Sequence, residues 1–271
     1  MSGAPDPEYA AARRVLLDAL ETLSPHLDAL ILVGAQAIYL RTGEADLAVA
    51  PYTTDADLAI DPLALAPEPR IDEAMRGAGF HDGEQPGIWV SAGGVQIDLL
   101  VPEAFAGRGR RGARLGSHGN RVARKVRGLE AALVDNARFP ISALEGGDQR
   151  MVEMLVAGPA ALLVAKLHKL GERSEEADRL QDKDALDVLR VLRATDTADL
   201  ARAMRVLREH VRSAEVTEAA LVYLAALFGS PDAVGSRMAG RAAQPLEDEA
   251  TITASVALLA GDLRGELGLG D

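Results

Sequence analysis

The chain has 271 residues, of which 48% are apolar and only 3% aromatic. This composition predicts a folded, soluble protein with a substantial core and excludes the disordered and fibrous classes. The 29 Lys and Arg against 41 Asp and Glu give a net charge of −12, and there is no cysteine, which excludes disulfides, thiolate metal sites and a cysteine nucleophile and favours a cytoplasmic setting.

Several other classes are not indicated. The first residues lack the basic start and apolar core of a secretory signal. The most apolar stretches, 29–40 and 158–167, are shorter than the roughly 20 residues that a membrane span needs, so we expect no membrane partner. The sequence also lacks the histidine pairs of zinc sites, a P-loop and a G-x-S-x-G elbow.

The N-terminal part of the chain alternates between helical and strand patterns. Apolar residues at helical spacing predict a helix over 8–23. A short, fully apolar run over 29–33 then predicts a buried strand, which Gly34 ends, and a helix follows over 35–40. Alternation with period two over 55–61 predicts a further strand with one acidic face.

The middle of the chain is predicted to be rich in strands. A helix over 70–78 precedes a hairpin whose strands flank a two-residue turn at Gly93-Gly94. The predicted strands of this region are 88–90, 95–101, 129–134 and 139–143.

From Met151 onward only helical spacing is found. The predicted helices cover 160–170, 184–192, 200–210, 215–227 and about 248–263. Mixed elements followed by helices alone predict an α+β fold, a mixed sheet with helices, and after it an all-α helical bundle. The boundary falls near Gly147, which gives an α+β domain over residues 1–147 and an α-helical C-terminal domain over 148–271.

Basic residues are concentrated in one segment, residues 107–129, which we call the arginine segment. It contains no acid, so the remainder of the chain carries −20, and its basic residues are Arg108, Arg110, Arg111, Arg114, Arg121, Arg124, Lys125 and Arg127. Such a segment suits a phosphate-rich ligand such as RNA or a nucleoside triphosphate. A solvated surface loop explains the same composition equally well.

Three aspartates are candidates for a metal site. Asp55 and Asp57 lie two residues apart on a predicted strand, so both carboxylates leave the same face. Adjacent carboxylates repel unless a cation lies between them, and Mg²⁺ prefers such oxygen ligands. Asp98 interrupts an apolar strand, where an unpaired acid is costly. The three therefore predict a metal site for phosphoryl transfer; the alternative is an acidic strand edge with one Asp paired to an Arg.

Two further positions are compatible with phosphate binding. Gly34 ends a buried strand where a helix begins, so free N–H groups can hold a triphosphate there, although a plain turn explains the glycine too. Lys166 lies on an apolar helix, where burial requires an anion. That anion is a substrate phosphate or the carboxylate of Asp184 or Asp187, unless the lysine extends to the surface.

The arrangement of these residues resembles a known family. Leu32-Val33-Gly34-Ala35, then Thr53-Thr54-Asp55-Ala56-Asp57 and then Ile97-Asp98 resemble the polymerase-β-type nucleotidyltransferase superfamily over roughly residues 28–102. Lys166, Arg173 and the run Lys183-Asp184-Ala185-Leu186-Asp187 are similar to the AbiEii/MenT-like toxin branch, to about residue 194. The resemblance implies Mg²⁺-dependent transfer of a nucleoside monophosphate from an NTP to an acceptor hydroxyl, in that branch the 3′ end of tRNA.

The resemblance also implies a role for each site residue. Asp55 and Asp57 would bind Mg²⁺, and Asp98 would be the third carboxylate and the general base. The residues assigned to the nucleotide phosphates are Gly34, Ala35, Thr53, Thr54 and Lys166, and Asp184 completes the catalytic set with Lys166. Ala35 stands where the superfamily usually has Ser or a second Gly.

Several alternatives stay open at this stage. The acceptor is tRNA, an aminoglycoside-type antibiotic or a protein hydroxyl, or else the protein binds nucleotide or RNA without catalysis, which Ala35 would allow. The dense arginine segment favours tRNA, with Arg108, Arg110, Arg111, Arg114, Arg121, Arg124 and Lys125 as its contacts. The acidic remainder of the chain is compatible with a cognate antitoxin as a partner.

Overall fold

The computed structural model of the protein describes residues 6–43, 45, 47–172 and 182–270. In this part of the chain a mixed β-sheet is followed by a bundle of α-helices, which confirms the predicted α+β class. The strands are β1 (Leu30–Val33), β2 (Asp55–Ile60), β3 (His81–Asp82), β4 (Ile88–Val90), β5 (Gln96–Pro102), β6 (Arg124–Val126), β7 (Asn136–Ser142) and β8 (Met151–Ala157).

The described helices lie before, between and after these strands. They are α1 (Pro7–Thr22), α2 (Gly34–Thr42), α3 (Ile71–Gly77), α4 (Pro159–Gly171), α5 (Asp182–Ala194), α6 (Thr197–Glu209), α7 (Ala214–Phe228), α8 (Val234–Ala243) and α9 (Glu249–Glu266). None of them combines the length and the apolar character that crossing a membrane requires.

The sheet is built around β1, whose four residues are all apolar and buried. β1 pairs antiparallel with β2 on one side and parallel with β8 on the other. The strand order is β3-β4-β5-β2-β1-β8-β7, and β6 pairs with the C-terminal half of β5. β2 and β5 are therefore parallel neighbours, which places their acidic residues on adjacent strands.

The helical region contacts the sheet side of the molecule through α2. This helix follows β1 directly and packs against α4 and α5. Buried apolar side chains of the sheet and of the helices form one continuous cluster. The sheet extends to Ala157, beyond the boundary predicted at Gly147, and the first helix after it begins at Pro159. The division into two domains stays a prediction.

Two predictions of strand content are wrong. Residues 129–134, predicted as a strand, form a 3₁₀ helix (Leu129–Leu133), because Gly128 turns the chain at φ +89° and the Glu130 carboxylate accepts its N–H. The region after Met151, predicted to be helical only, begins with β8, which pairs along its length with β7. Short apolar runs do not distinguish strand from helix by periodicity, which explains both errors.

The predicted β4–β5 hairpin is confirmed, but its loop has three residues and not two. The Ser91 N–H donates to the Val95 carbonyl at 2.9 Å, which leaves residues 92–94 in the loop. Gly94 adopts φ +83°, as the third position of such a loop requires. α8 was not predicted; two of its ten residues are glycines, which lower helix propensity.

The arginine segment packs against this hairpin. The Trp89 indole N–H donates to the Val122 carbonyl at 3.0 Å, and the Gly87 N–H donates to the Arg121 carbonyl at 2.9 Å. Apolar side chains of the segment, among them Ala113 and Val122, are buried. The segment is thus attached to the sheet along its backbone while most of its arginine side chains lie in solvent.

Replacing Trp89 with Phe should lower the free energy of unfolding by about 2 kcal/mol, because the buried Val122 carbonyl loses its donor and a small cavity forms. Urea unfolding followed by far-UV circular dichroism measures this loss. An unfolding free energy equal to that of the wild type would show that the attachment does not contribute to stability.

Candidate active site

The three aspartates predicted to bind metal lie on adjacent strands. Asp57 of β2 is in register with Asp98 of the parallel strand β5 and with Val33 at the end of the antiparallel strand β1. Asp55 lies two residues earlier on the same face of β2. The sheet therefore brings all three carboxylates to the point where β1 ends and α2 begins.

Gly34 is required there by a close approach. It opens α2 with φ +69°, and a Cβ added to it would lie 2.0 Å from Oδ2 of Asp57. The Asp57 carboxylate thus lies directly against the first turn of α2, where the N–H groups have no intrahelical acceptor. Any side chain at residue 34 would displace the carboxylate, which gives the glycine turn a reason beyond chain reversal.

The carboxylates are not fully neutralised by their surroundings. Burial, together with the charges of Asp55 and Asp98, raises the pKa of Asp57 to about 7. Lys169 and Arg124 act in the opposite direction and compensate only part of this effect. A cluster with this excess of negative charge favours a bound cation.

Asp98 has one satisfied and one unsatisfied oxygen. Its side chain is buried, and Oδ2 accepts a hydrogen bond from Nη2 of Arg124 at 2.6 Å. Oδ1 is buried and has no hydrogen-bond partner among the described residues. Arg124, predicted to contact nucleic acid, is therefore the ion-pair partner of Asp98 in this structure, and Oδ1 is the oxygen left for a ligand.

A buried hydrogen-bond network fixes the start of β2. The Thr53 hydroxyl donates to Oδ1 of Asp55 at 2.6 Å, and the Gln36 amide donates to the Asp55 carbonyl at 3.0 Å. Nε of Arg13 in α1 in turn donates to the side-chain Oε1 of Gln36 at 2.8 Å. Thr53, predicted at the phosphates, is buried and orients Asp55, whereas Thr54 is exposed.

On the helical side, Lys166 is buried between two acids. Its Nζ lies 2.7 Å from Oδ1 of Asp184 and 2.7 Å from Oδ2 of Asp187. Burial alone would lower the pKa of Lys166, but the two carboxylates outweigh it and raise that pKa. Of the alternatives open from the sequence, pairing with the acids of α5 is the one that the structure contains.

Asp184 is correspondingly held as an anion. Burial alone would raise its pKa, but Lys166 and Lys169 outweigh it and lower the pKa to about 2. The Lys169 Nζ lies 2.8 Å from Oδ1 of Asp184, so this carboxylate accepts from two lysines. α4 and α5 are thereby joined by charged hydrogen bonds in the protein interior.

Two lysines lie near the carboxylates: Lys169 was missed by sequence reasoning, and Lys183 was named there only within the run 183–187, without a role of its own. The charge of Lys169 acts on Asp57, and Lys183, whose pKa is lowered mainly by burial, interacts with the charge of Asp55. Lys169 follows Lys166 by three residues on one helix face, and that spacing could have revealed it. Arg173, part of the family resemblance, lies outside the described residues.

Five arginines of the arginine segment line an open groove of about 690 Å³, which we call the arginine groove. They are Arg108, Arg110, Arg111, Arg114 and Arg121. All five are exposed, and none forms an ion pair with a described residue. Arg124 connects the groove to the carboxylates. Its backbone forms an antiparallel β-bridge with the groove residue Gly112, and its guanidinium group forms an ion pair with Asp98.

The donor set suits a cation that shares its ligands with a substrate. Within the described ranges, no three acidic or histidine side chains are close enough to hold a metal ion by themselves. Mg²⁺ is commonly held by one or two carboxylates together with substrate phosphates and water. The close approach of Gly34 to the Asp57 carboxylate and the raised pKa of that carboxylate fit such an ion.

The raised pKa of Asp57 predicts a pH-dependent effect of Asp57→Asn in metal-free protein. Between about pH 4 and pH 7 the folded wild type retains a proton that the unfolded chain has lost, so wild-type stability falls as pH rises through this range. The variant has no such loss. Its free energy of unfolding, relative to that of wild type, should therefore rise by at least about 1 kcal/mol from pH 5 to pH 8.

Urea unfolding in EDTA at both pH values measures this gain. Asp199→Asn, which removes an exposed acid of α6, is the control and should give the same difference from wild type at both pH values. A pH-independent difference for Asp57→Asn would contradict the electrostatic account. Mg²⁺ should stabilise wild type more than Asp57→Asn at pH 8.

Comparison with known proteins agrees with this geometry. A family model described as nucleotidyltransferase matches residues 13–209, which is more than half of the chain. The match begins in α1, ends in α6, and contains the three aspartates, the arginine groove and the charged pair of α4 and α5. No curated protein matches the chain significantly. The chain therefore belongs to this nucleotidyltransferase family and is an enzyme that transfers a nucleoside monophosphate.

Proposed function

We propose that the enzyme transfers a nucleoside monophosphate from an NTP to a hydroxyl of RNA, namely the 3′ end of a tRNA, with Mg²⁺ bound by Asp55 and Asp57. The observation that carries this proposal is the arginine groove, whose guanidinium groups have no acidic partner among the described residues and adjoin the carboxylate cluster through Arg124. A polyanionic acceptor bound in the groove would lie beside the site of transfer.

The reaction joins the acceptor oxygen to the α-phosphorus and breaks the α–β phosphoanhydride bond, so that pyrophosphate leaves. Mg²⁺, when bound, supplies positive charge to the phosphates and to the reacting oxygen. Asp55 is held in place by Thr53 and Gln36, so its carboxylate is preorganised for that ion. Asp98 accepts the proton of the acceptor hydroxyl at the unpartnered Oδ1.

The triphosphate is held by backbone and by cations. The first turn of α2 at Gly34 and Ala35 offers N–H groups, which do not require the hydroxyl that Ala35 lacks. Lys169 and Lys183 offset the phosphate charge from the helical side. Lys166 and Asp184 support the site by fixing α4 against α5, because their charges are already paired.

Charge distinguishes the candidate acceptors. Aminoglycosides are polycations, and five unpaired arginines would repel them, whereas RNA phosphates gain from each contact. The likeness of Lys166 and the run 183–187 to the AbiEii/MenT-like toxin branch supports tRNA as the acceptor and a cognate antitoxin as a partner. We place this activity in the cytoplasm, where both NTPs and tRNA are present.

Incubation with Mg²⁺, each labelled NTP and either tRNA or an aminoglycoside tests the transfer. Wild type should label tRNA, and Asp57→Asn should reduce the rate by roughly 100-fold or more, because a metal ligand is lost. Asp199→Asn is the matched control and should retain full activity. Label on the aminoglycoside alone would overturn the tRNA acceptor, and no label on any acceptor would favour a binding protein without catalysis.

Removing two groove arginines, Arg110→Ala with Arg111→Ala, should weaken tRNA binding and flatten its salt dependence. Each lost phosphate contact should reduce the slope of log K against log salt by about 0.7 to 0.9. The matched control is Arg138→Ala with Arg202→Ala, which changes the net charge equally at exposed positions outside the groove. Equal slopes for both double variants would assign the groove to a solvated surface.

A further inference from the structure

Tyr52 is an aromatic side chain in an unusual environment. Of the chain's one Trp, four Tyr and four Phe residues, all of them described, only Tyr52 is exposed, at 41% of its surface. The others are buried or half-buried in the core and around it. The Tyr52 ring is thus the one aromatic surface of the described chain that is open to a ligand.

The backbone and the ring hydroxyl of Tyr52 each have one hydrogen-bond partner. The Tyr52 carbonyl accepts a hydrogen bond from the Tyr39 hydroxyl of α2 at 2.9 Å. The Tyr52 hydroxyl donates to the Glu8 carboxylate of α1. The anchored backbone limits where the ring can move, so a ligand that packs on the ring meets a surface already in place.

Tyr52 lies beside the proposed phosphate site. Its neighbour Thr53 donates to Asp55, and three residues of chain place Tyr52 at most about 10 Å from Asp55 along the backbone. The Nζ of Lys183, whose charge interacts with Asp55, lies 5.7 Å from the centre of the Tyr52 ring. The ring, an ammonium group and a proposed metal ligand thus share one corner of the site.

We infer that Tyr52 stacks against the base of the bound nucleoside triphosphate while Lys183, together with Mg²⁺ held by the carboxylate cluster, would bind its phosphates, an inference that rests on the proposed NTP site. Every nucleobase has a flat face, so stacking supplies affinity without requiring one base. The ring distinguishes a nucleotide from a bare polyphosphate, which the charged groups alone do not.

Binding measurements on the full-length enzyme test this inference. Isothermal titration with Mg²⁺ compares each NTP with inorganic tripolyphosphate, and the tightest NTP is carried forward to the variants. Tyr52→Phe keeps the ring and should bind the NTP within about twofold of wild type. Tyr52→Leu and Tyr52→Ala should bind it about 10-fold or more weakly, with tripolyphosphate affinity unchanged.

The variants separate stacking from a structural role. Tyr52→Leu keeps an apolar side chain of similar reach but has no flat face. It therefore tests stacking even if Tyr52→Ala does not fold. Wild-type NTP affinity in the Leu variant, or equal losses of NTP and tripolyphosphate, would overturn stacking by Tyr52. Wild type that binds NTP but labels no acceptor would overturn the proposed transfer while leaving the stacking intact, and wild type that binds neither ligand would overturn both.

Discussion

The repulsion among three carboxylates on the central strands β2 and β5, beside the end of β1, is the constraint on which the rest of the site depends. β2 and β5 run parallel in a register that sets Asp57 beside Asp98, and Gly34 lets the N-terminus of α2 approach Asp57. The fold surrounds this cluster with cations from separate elements, Lys169 of α4, Lys183 of α5 and Arg124 of β6. Their compensation is partial, and a bound cation would complete it.

The buried ion pairs of α4 and α5 contribute indirectly to the charge balance of the carboxylate cluster. Burying Lys166 with two acids is expensive, and an apolar trio of similar volume can be as stable, so stability does not account for these charges. They do fix which faces of α4 and α5 meet, because an ammonium group must lie between two particular carboxylates. That alignment brings Lys169 and Lys183 close to the carboxylates of β2 and β5.

The sequence predicts local features of this site and misses pairings over longer distances. Period-two spacing correctly placed Asp55 and Asp57 on one strand, and the glycine at the end of β1 was correctly predicted, because each signal lies within a few residues. The pairing of Arg124 with Asp98 depends on β6 joining β5, which no local pattern indicates. The sequence left several candidate partners for Lys166, and the pairing with Asp184 and Asp187 depends on how α4 packs on α5. Residues 129–134 and β8 were assigned wrongly because short apolar runs carry no decisive period.

The net charge of −12 is a poor guide to the partners of this enzyme. At physiological ionic strength, charges more than about 8 Å apart are largely screened in solvent, so a ligand responds to the groups it approaches closely. In the arginine groove those groups are five guanidiniums without acidic partners among the described residues. At the carboxylate cluster they are three acids whose negative charge the neighbouring cations offset only in part. The two surfaces lie side by side and attract opposite charges. An acceptor of the kind proposed, with its phosphates in the groove, would be kept off the carboxylates except at its terminal hydroxyl, which would favour transfer to an end of a strand over its middle.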